Sequence, residues 1–507
     1  MPGMPDSVAF IDVGTNSIHM LVVRFYEGSM GTPIFHDKET VRMGKSLYET
    51  GRLDEPTIEK AKLVLSKFAE IARSNGCSEI IAMATCAARE APNRHELVEA
   101  AAECGIRLQI IPGREEARLV RLGVAGPDCA RRTLCIDVGG GSTEIALAEG
   151  KDDLYLDSLS LGAIRMSFGT GIDQSGKVSP KQYETLKRMV AAQCYHTVAA
   201  VRDRGFERVI GSSGTMEVLA EACAAKRGDM DTDVITRTEL KALMRQLCSM
   251  TAAERCKLPK ISASRADIAI GGGSVVEALM DLLDIERIEV SHNGLREGMK
   301  TDYLMKHGHS DFSVRSSSVR ALAVRCGCDT RHEEAVIRYS DMICREFVSA
   351  GIMQDSMRLR ELLLYAARLH DIGAFISYER HNVFSYTIIR NSYLAGFDNS
   401  ELEWMALLTR FHHGSFPNVG SRFLLEMDKR SVPDFLRYAM ILKIADILDR
   451  GRDGAVDEIR AELLNGTVNL TITTYSDLTM VEWKLSSIAK DFENTFGLRL
   501  NVEYLRI

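Results

Sequence analysis

Two stretches of this chain share one plan, and that plan restricts the fold more than any other feature. Leu134-Cys-Ile-Asp-Val-Gly-Gly-Gly-Ser-Thr-Glu144 opens as an apolar strand and sets a carboxylate, Asp137, at its end. It then turns through Gly139, Gly140, Gly141 and Ser142, passes Glu144 and resumes as the apolar run Ile145 to Ala148. Ser7 to Arg24 repeats the theme: a strand, Asp12, a turn carrying Gly14, Thr15, Asn16 and Ser17, then a second strand. Glycine tolerates positive φ and leaves no side chain in the way of a phosphate, so such turns can offer amides and hydroxyls to an anion. Asp137 and Glu144 would repel a bare phosphate, which predicts a divalent cation between them and the ligand. Either stretch alone is an ordinary glycine-rich hairpin. Two copies at the same place in the same local pattern predict two similar halves facing each other across a cleft.

The chain has 507 residues, enough for about three domains on the usual length scale, and 45% hydrophobic and 26% charged residues place it among globular proteins. Its net charge of −7 gives no sign of a nucleic-acid partner. No apolar run is long enough for a membrane span. Met1-Pro-Gly-Met-Pro-Asp6 has neither basic flank nor apolar core, so it does not read as a signal peptide. Twelve cysteines without a pairing rhythm suit reduced thiols, and the expected location is cytoplasmic.

Between the two hairpins a helical period runs from Pro56 to Asn75, and Glu79 to Ala84 reads as a buried strand. Arg89 follows that strand, either as a phosphate contact or as a solvated helix residue. Pro112-Gly-Arg-Glu-Glu-Ala-Arg-Leu119 opens a helix. Acidic residues in a first turn gain about 0.3–1 kcal/mol each from the helix dipole, so Glu115 and Glu116 are at this point equally well explained as capping. A long amphipathic helix is expected from Pro180 to about Arg202, with Ser179 as its N-cap. Arg208 to Glu217 reads as a strand, a turn of Ser212, Ser213, Gly214 and Thr215, and a helix start whose amides suit an anion. Ile268-Ala-Ile-Gly-Gly-Gly-Ser-Val-Val-Glu277 reads either the same way or as close backbone packing. No Gly-x4-Gly-Lys-[Ser/Thr] motif occurs, which excludes a P-loop.

In order along the first 300 residues, several segments together resemble the exopolyphosphatase/guanosine pentaphosphate phosphohydrolase family. They are Asp12-Val-Gly-Thr-Asn-Ser17, Val41-Arg-Met-Gly44, Ala84-Thr-x-Ala-x-Arg89, Gly113-Arg-Glu-Glu-Ala-Arg-Leu119, Asp137 to Glu144, Gly211-Ser-Ser-Gly-Thr215 and Gly294-Leu-Arg-Glu-Gly298. The resemblance implies an α/β actin-like (ribonuclease-H-type) fold in two N-terminal domains, 1–126 and 127–302. An all-α HD-like domain (303–465) and a small α+β segment (466–507) would follow. It implies that Glu116, directly before Ala-Arg-Leu, is the catalytic base. Asp137 and Glu144 match catalytic and metal-binding acids, with Asp12 as a further metal ligand. The expected cofactor is Mg2+, with Mn2+ as an alternative. Arg42 and Arg89 are expected phosphate contacts, beside the turns at Gly14–Ser17, Gly139–Ser142 and Ser212–Thr215. The family also implies a homodimer.

The leading expectation is an exopolyphosphatase releasing terminal orthophosphate from inorganic polyphosphate. The alternative is 5′-phosphohydrolysis of guanosine pentaphosphate, which uses the same end-group chemistry. An actin-like kinase or chaperone ATPase would need an adenosine pocket, and the Glu-Glu-Ala-Arg-Leu segment argues against it. A non-catalytic polyphosphate or alarmone sensor would not need Glu116, Asp137 and Glu144. In the helical part, His370-Asp371, His332 and Asp446 supply pieces of an HD metal site. Longer relatives often read His-His-x-His-Ser where this chain has His381-Asn-Val-Phe-Ser385, so two histidines are missing. His412 and His413 are adjacent on a helix and point apart. The expectation is therefore a domain without a working metal centre that contacts distal polyphosphate through Arg380, Arg410 and Lys429.

Overall fold

A computed structural model describes residues 7–25, 31–227, 233–307, 314–392, 394, 396, 397, 399–425, 427–476 and 479–506; the N-terminal hexapeptide lies outside them. The chain divides into two compact units, Met1–Val314 and Arg315–Ile507.

The first unit contains two sheets of the same plan. In one, β1 (Ser7–Val13), β2 (Ser17–Arg24), β3 (Thr32–Thr40), β4 (Glu79–Ala84) and β5 (Leu108–Ile110) lie in the order β3-β2-β1-β4-β5. The first three strands form an antiparallel meander, and β4 and β5 continue parallel to β1. In the other, the meander is β6 (Cys129–Val138), β7 (Thr143–Gly150) and β8 (Asp152–Leu159). There β9 (Arg208–Ser212) and β11 (Arg287–Ser291) take the parallel places, and β10 (Val234–Thr236) adds an antiparallel edge. The repeated hairpin thus opens two sheets of one plan, the duplication that the actin-like expectation calls for. Each β1-type strand is central and buried on both faces, which explains why Val8 to Ile11 and Leu134 to Ile136 run apolar without alternation.

The helix Glu55–Ser74 covers the first sheet with Ile58, Leu65 and Phe68, and Asp54 caps it by accepting from the Thr57 amide. The predicted helix after Ser179 exists with a full capping box, Ser179 and Gln182 bonding reciprocally. It is two helices rather than one, Pro180–Gln193 and Tyr195–Arg204, broken at Cys194. Ala269–Leu283 is helical throughout, so the strand-and-turn reading of Ile268–Ser274 is corrected. Its three glycines serve close packing: a Cβ on Gly271, Gly272 or Gly273 would stand 2.5, 2.5 or 2.3 Å from Ser167, Thr215 or Met244. The helix Leu295–His307 crosses the expected 302/303 boundary and packs on Gly113–Val124 within the same unit.

The second unit is helical up to Leu448, with principal helices Thr330–Ser349, Met357–Leu369, His381–Arg390, Asn399–Phe411 and Val432–Leu448. A three-stranded sheet follows: β12 (Val456–Leu464), β13 (Thr467–Thr474) and β14 (Arg499–Arg506), in that order. The expected 465/466 boundary falls inside the β12–β13 hairpin, where Leu464 faces Thr467. Val468, Leu470, Ile472 and Phe492 share one apolar cluster with Phe347 and Ile441 of the helices, so this end segment has no separate core.

Candidate active site

Each half sets its aspartate in the same way. Asp12 is the last but one residue of β1, and the Gly14 amide donates to Ser17 O at 3.1 Å to close the turn. Asp137 is the last but one residue of β6, and the Gly139 amide donates to Ser142 O at 3.0 Å. These two amides are spent on the turns themselves, so a ligand has to use the residues beyond them. Across the hairpins Asp12 faces His19 and Asp137 faces Glu144, each partner seven residues on.

Both turns, the start of the helix Gly113–Val124 and the start of Gly214–Arg227 line one cleft of about 500 Å³. Of the residues singled out in the sequence, it brings together Asp12, Gly14, Thr15, Asn16, Ser17, Glu116, Asp137, Gly139, Gly140, Ser142, Glu144, Ser213, Gly214 and Thr215. Four stand outside its lining. Ser212 donates its hydroxyl to Asp137 Oδ2 at 2.5 Å and so orients that carboxylate. Gly141 is a packing residue: a Cβ there would lie 2.6–2.9 Å from Tyr48, Cys86 and Thr15. Arg42 pairs with Asp267 at 3.2 Å. Arg89 approaches Glu116 from behind and donates to Glu116 Oε2 and to Ile111 O, both at 2.9 Å. It lines a separate hollow of about 220 Å³ with Glu90, Arg114 and Ser158.

The cleft floor concentrates buried negative charge. Glu116 is 6% exposed and Glu144 2%. Burial pushes Glu116 up to about 7 against the opposing pull of the Arg89 guanidinium. Burial also raises Asp12 to about 7, with Arg296 opposing, and Asp137 to about 6, with the Ser212 hydrogen bond opposing. Glu144 is raised by burial and then by the charges of Glu116 and Asp137, although Ser158 donates to it at 2.8 Å. One buried oxygen, Asp12 Oδ1, has no hydrogen-bond partner. A lone buried carboxylate oxygen among mutually repelling acids suits a hard cation. Among the described residues, the cleft acids do not form a set of three with ligand atoms within 4.8 Å of one another. That fits Mg2+, which keeps several waters and takes only one or two carboxylates, better than a fully protein-ligated ion.

Opposite the acids stand cationic groups that the sequence reading did not single out. Lys38, Arg265, His292 and Arg296 all line the cleft. Hydrogen bonds to Asp233 and Glu217 push His292 up to about 10, toward the charged form. His19 is driven down to about 3, by burial first and then by Arg296, Lys38 and Arg265. Arg265 lies over the Gly214 turn, where an added Cβ would fall 2.2 Å from its Nη2. Arg296 sits inside the quoted Gly294–Gly298 segment, and His19 has the same offset from Asp12 that Glu144 has from Asp137. Those two were within reach of the sequence. Lys38 and Arg265 carry no local signal.

Comparison with known proteins supplies the family. The Ppx/GppA phosphatase family pattern matches residues 21–307, and that of Ppx/GppA phosphatase, domain III, matches 314–494. A guanosine-5′-triphosphate,3′-diphosphate pyrophosphatase of Vibrio atlanticus is 28% identical over 99% of both chains. One of Photobacterium profundum is 28% identical over 88% of this chain and 87% of its own. Among solved structures, an exopolyphosphatase from Cytophaga hutchinsonii aligns with a TM-score of 0.55 at 24% identity, covering 61% of this chain and all of that one. The likeness in structure bears on fold, and the match in sequence on descent. The chain belongs to the Ppx/GppA phosphatase family and is a phosphoanhydride hydrolase.

Proposed function

We propose that this protein removes the terminal 5′ phosphate of guanosine 5′-triphosphate 3′-diphosphate, releasing orthophosphate and the 5′-diphosphate 3′-diphosphate. Long polyphosphate came first in the sequence expectation. The preference is reversed because full-length relatives carry the nucleotide in their names. The observation that supports the chemistry is Glu116, a buried carboxylate held by Arg89 in a cleft that also contains Asp12, Asp137 and Glu144. A cleft of about 500 Å³ has room for more than a phosphate tail and lies in the range of small-ligand sites.

In this reading Thr15, Asn16, Ser17, Ser142, Ser213 and Thr215 take the phosphate oxygens. Deprotonated Glu116 accepts a proton from the water that attacks the terminal phosphorus. The bridging P–O bond then breaks, and the electron pair leaves with the remaining diphosphate. Arg89 holds the Glu116 carboxylate from behind, and Ser212 holds Asp137. One or two of Asp12, Asp137 and Glu144 would hold Mg2+, which when bound neutralises developing charge on the phosphate oxygens. Lys38, Arg265 and Arg296 provide positive field for the rest of a polyanion. The helical unit is read as HD-like, and the assembly as a homodimer.

Orthophosphate release with Mg2+ tests this, with the nucleotide and long-chain polyphosphate compared on wild type and Glu116→Gln. Wild type is expected to prefer the nucleotide, and the substitution to lower kcat by about 10²–10⁴-fold. Preference for polyphosphate would reject the nucleotide assignment. A Glu116→Gln rate within threefold of wild type would remove Glu116 from the role of base.

A further inference from the structure

The helical unit gathers a second set of ligating side chains, none of which serves the cleft. His332, His370, Asp371, His381, His412 and Asp446 come from sites up to 114 residues apart (446 − 332) and form three overlapping groups. Those are His332-His370-Asp371, His370-His412-Asp446 and Asp371-His381-His412, each with ligand atoms within 4.8 Å of one another. Both His370 and His412 are 1% exposed.

The protons on these rings can be placed. Nδ1 of His370, His381 and His412 stands 2.7, 2.7 and 2.6 Å from the carbonyl oxygens of Ala367, Tyr378 and Thr409. Nδ1 of His332 stands 2.7 Å from the Asp449 carboxylate. Carbonyls and carboxylates only accept, so every Nδ1 carries a hydrogen and a neutral ring turns a bare Nε2 lone pair inward. Yet the Nε2 atoms of His332 and His370 are 3.1 Å apart, as are those of His381 and His412. Facing lone pairs at that distance need either a shared proton or a metal ion between them, and the carboxylates on the same side supply the rest of a ligand set. Asp371 Oδ1 stands 3.4, 3.7 and 3.7 Å from the Nε2 atoms of His381, His370 and His412. Asp446 Oδ1 stands 3.5 and 3.7 Å from those of His332 and His370. Ligands bound at about 2.0–2.2 Å to one ion are themselves about 3.0–3.6 Å apart, the edge length of a coordination polyhedron. The outward hydrogen bonds from Nδ1 are those that orient metal-binding imidazoles.

We propose that the helical unit binds two divalent first-row transition cations bridged by Asp371, one held by His332, His370 and Asp446 and the other by His381 and His412. Imidazole donors favour ions of the Mn2+ to Zn2+ series over Mg2+. The sequence argument against a metal was right that His412 and His413 diverge. His412 needs only His381, brought from another helix, to make up the second pair. His413 stays outside the set and packs against the His381 ring at 4.8 Å.

The test uses the full chain, stripped with chelator, reloaded with Mn2+ and desalted. With excess Mg2+ present to keep Mn2+ out of the cleft, elemental analysis is expected to find about two Mn2+ per chain, and low-temperature EPR an exchange-coupled pair. The coupled signal should disappear in His370→Ala and in the isosteric His381→Gln. It should persist in Asp137→Asn, which alters only the cleft. Helical circular dichroism checks that each variant is folded, and the wild-type stoichiometry stands independently of the variants. Fewer than two equivalents in wild type, or a coupled signal that survives both histidine substitutions, overturns the proposal.

Discussion

Glu116 shows how far one residue can be read before its surroundings are known. Its place before Ala-Arg-Leu marked it, but helix capping explained it equally well. In the fold, Glu116 faces the cleft and carries a guanidinium behind it. Arg89, expected as a phosphate contact, donates to Glu116 Oε2 and opposes the rise that burial gives it. Burial raises Glu116 to about 7 and Arg89 opposes that rise, and the proposed mechanism needs the deprotonated carboxylate. kcat/KM is therefore expected to fall as pH drops below about 7. Arg89→Ala removes the opposing charge, so the acid limb should move to higher pH and the rate should recover in part toward pH 9. A pH–rate profile reduced uniformly without a shift would show that Arg89 only packs.

At the scale of elements, the position of Glu116 depends on two helices in near contact. A Cβ on Gly298 would fall 1.7 Å from Leu119 O, and one on Gly123 would fall 2.1 Å from Gly294 O. Only glycine lets Leu295–His307 lie this close to Gly113–Val124. Arg118 joins the two helices through Asp302 at 2.8 Å. Gly298→Ala has to push the helices apart, at a cost of about 1–3 kcal/mol on the scale of overpacked cores. It is expected to lower the melting temperature and also kcat, because the shift carries Glu116 away from Asp137. Unchanged kcat in a destabilised variant would separate the packing from the chemistry. The Gly294–Gly298 segment was legible as a motif. That its last glycine serves a helix crossing was not, because the partner helix lies about 180 residues earlier.

For the whole molecule, the raised acids set a pH-dependent stability. Asp12 and Asp137 have folded values of about 7 and 6, above the ordinary 3.8, so the folded state holds these protons more tightly than the unfolded chain. Their contribution is present below about pH 4 and is lost as pH rises through 6 to 7. Mg2+ binds the deprotonated form, so the gain in melting temperature with excess Mg2+ is expected to be larger at pH 8 than at pH 5. At 100 times Kd the gain is about 2.7 kcal/mol. Calorimetry at both pH values checks this, and an equal gain at both would detach the cation from these carboxylates. The two units have separate cores, so two transitions are expected, with Mg2+ moving the one that belongs to 1–314. The paired Asp-x-Gly hairpins, the duplicated sheet and most of the cleft acids were determined by the sequence alone. Their signals are local, because strand, turn and carboxylate lie within a dozen residues. Lys38, Arg265 and the convergence of His381 with His412 were decided only by the tertiary structure. They carry no local pattern, and only packing of distant elements gives side chains so far apart in sequence a shared field.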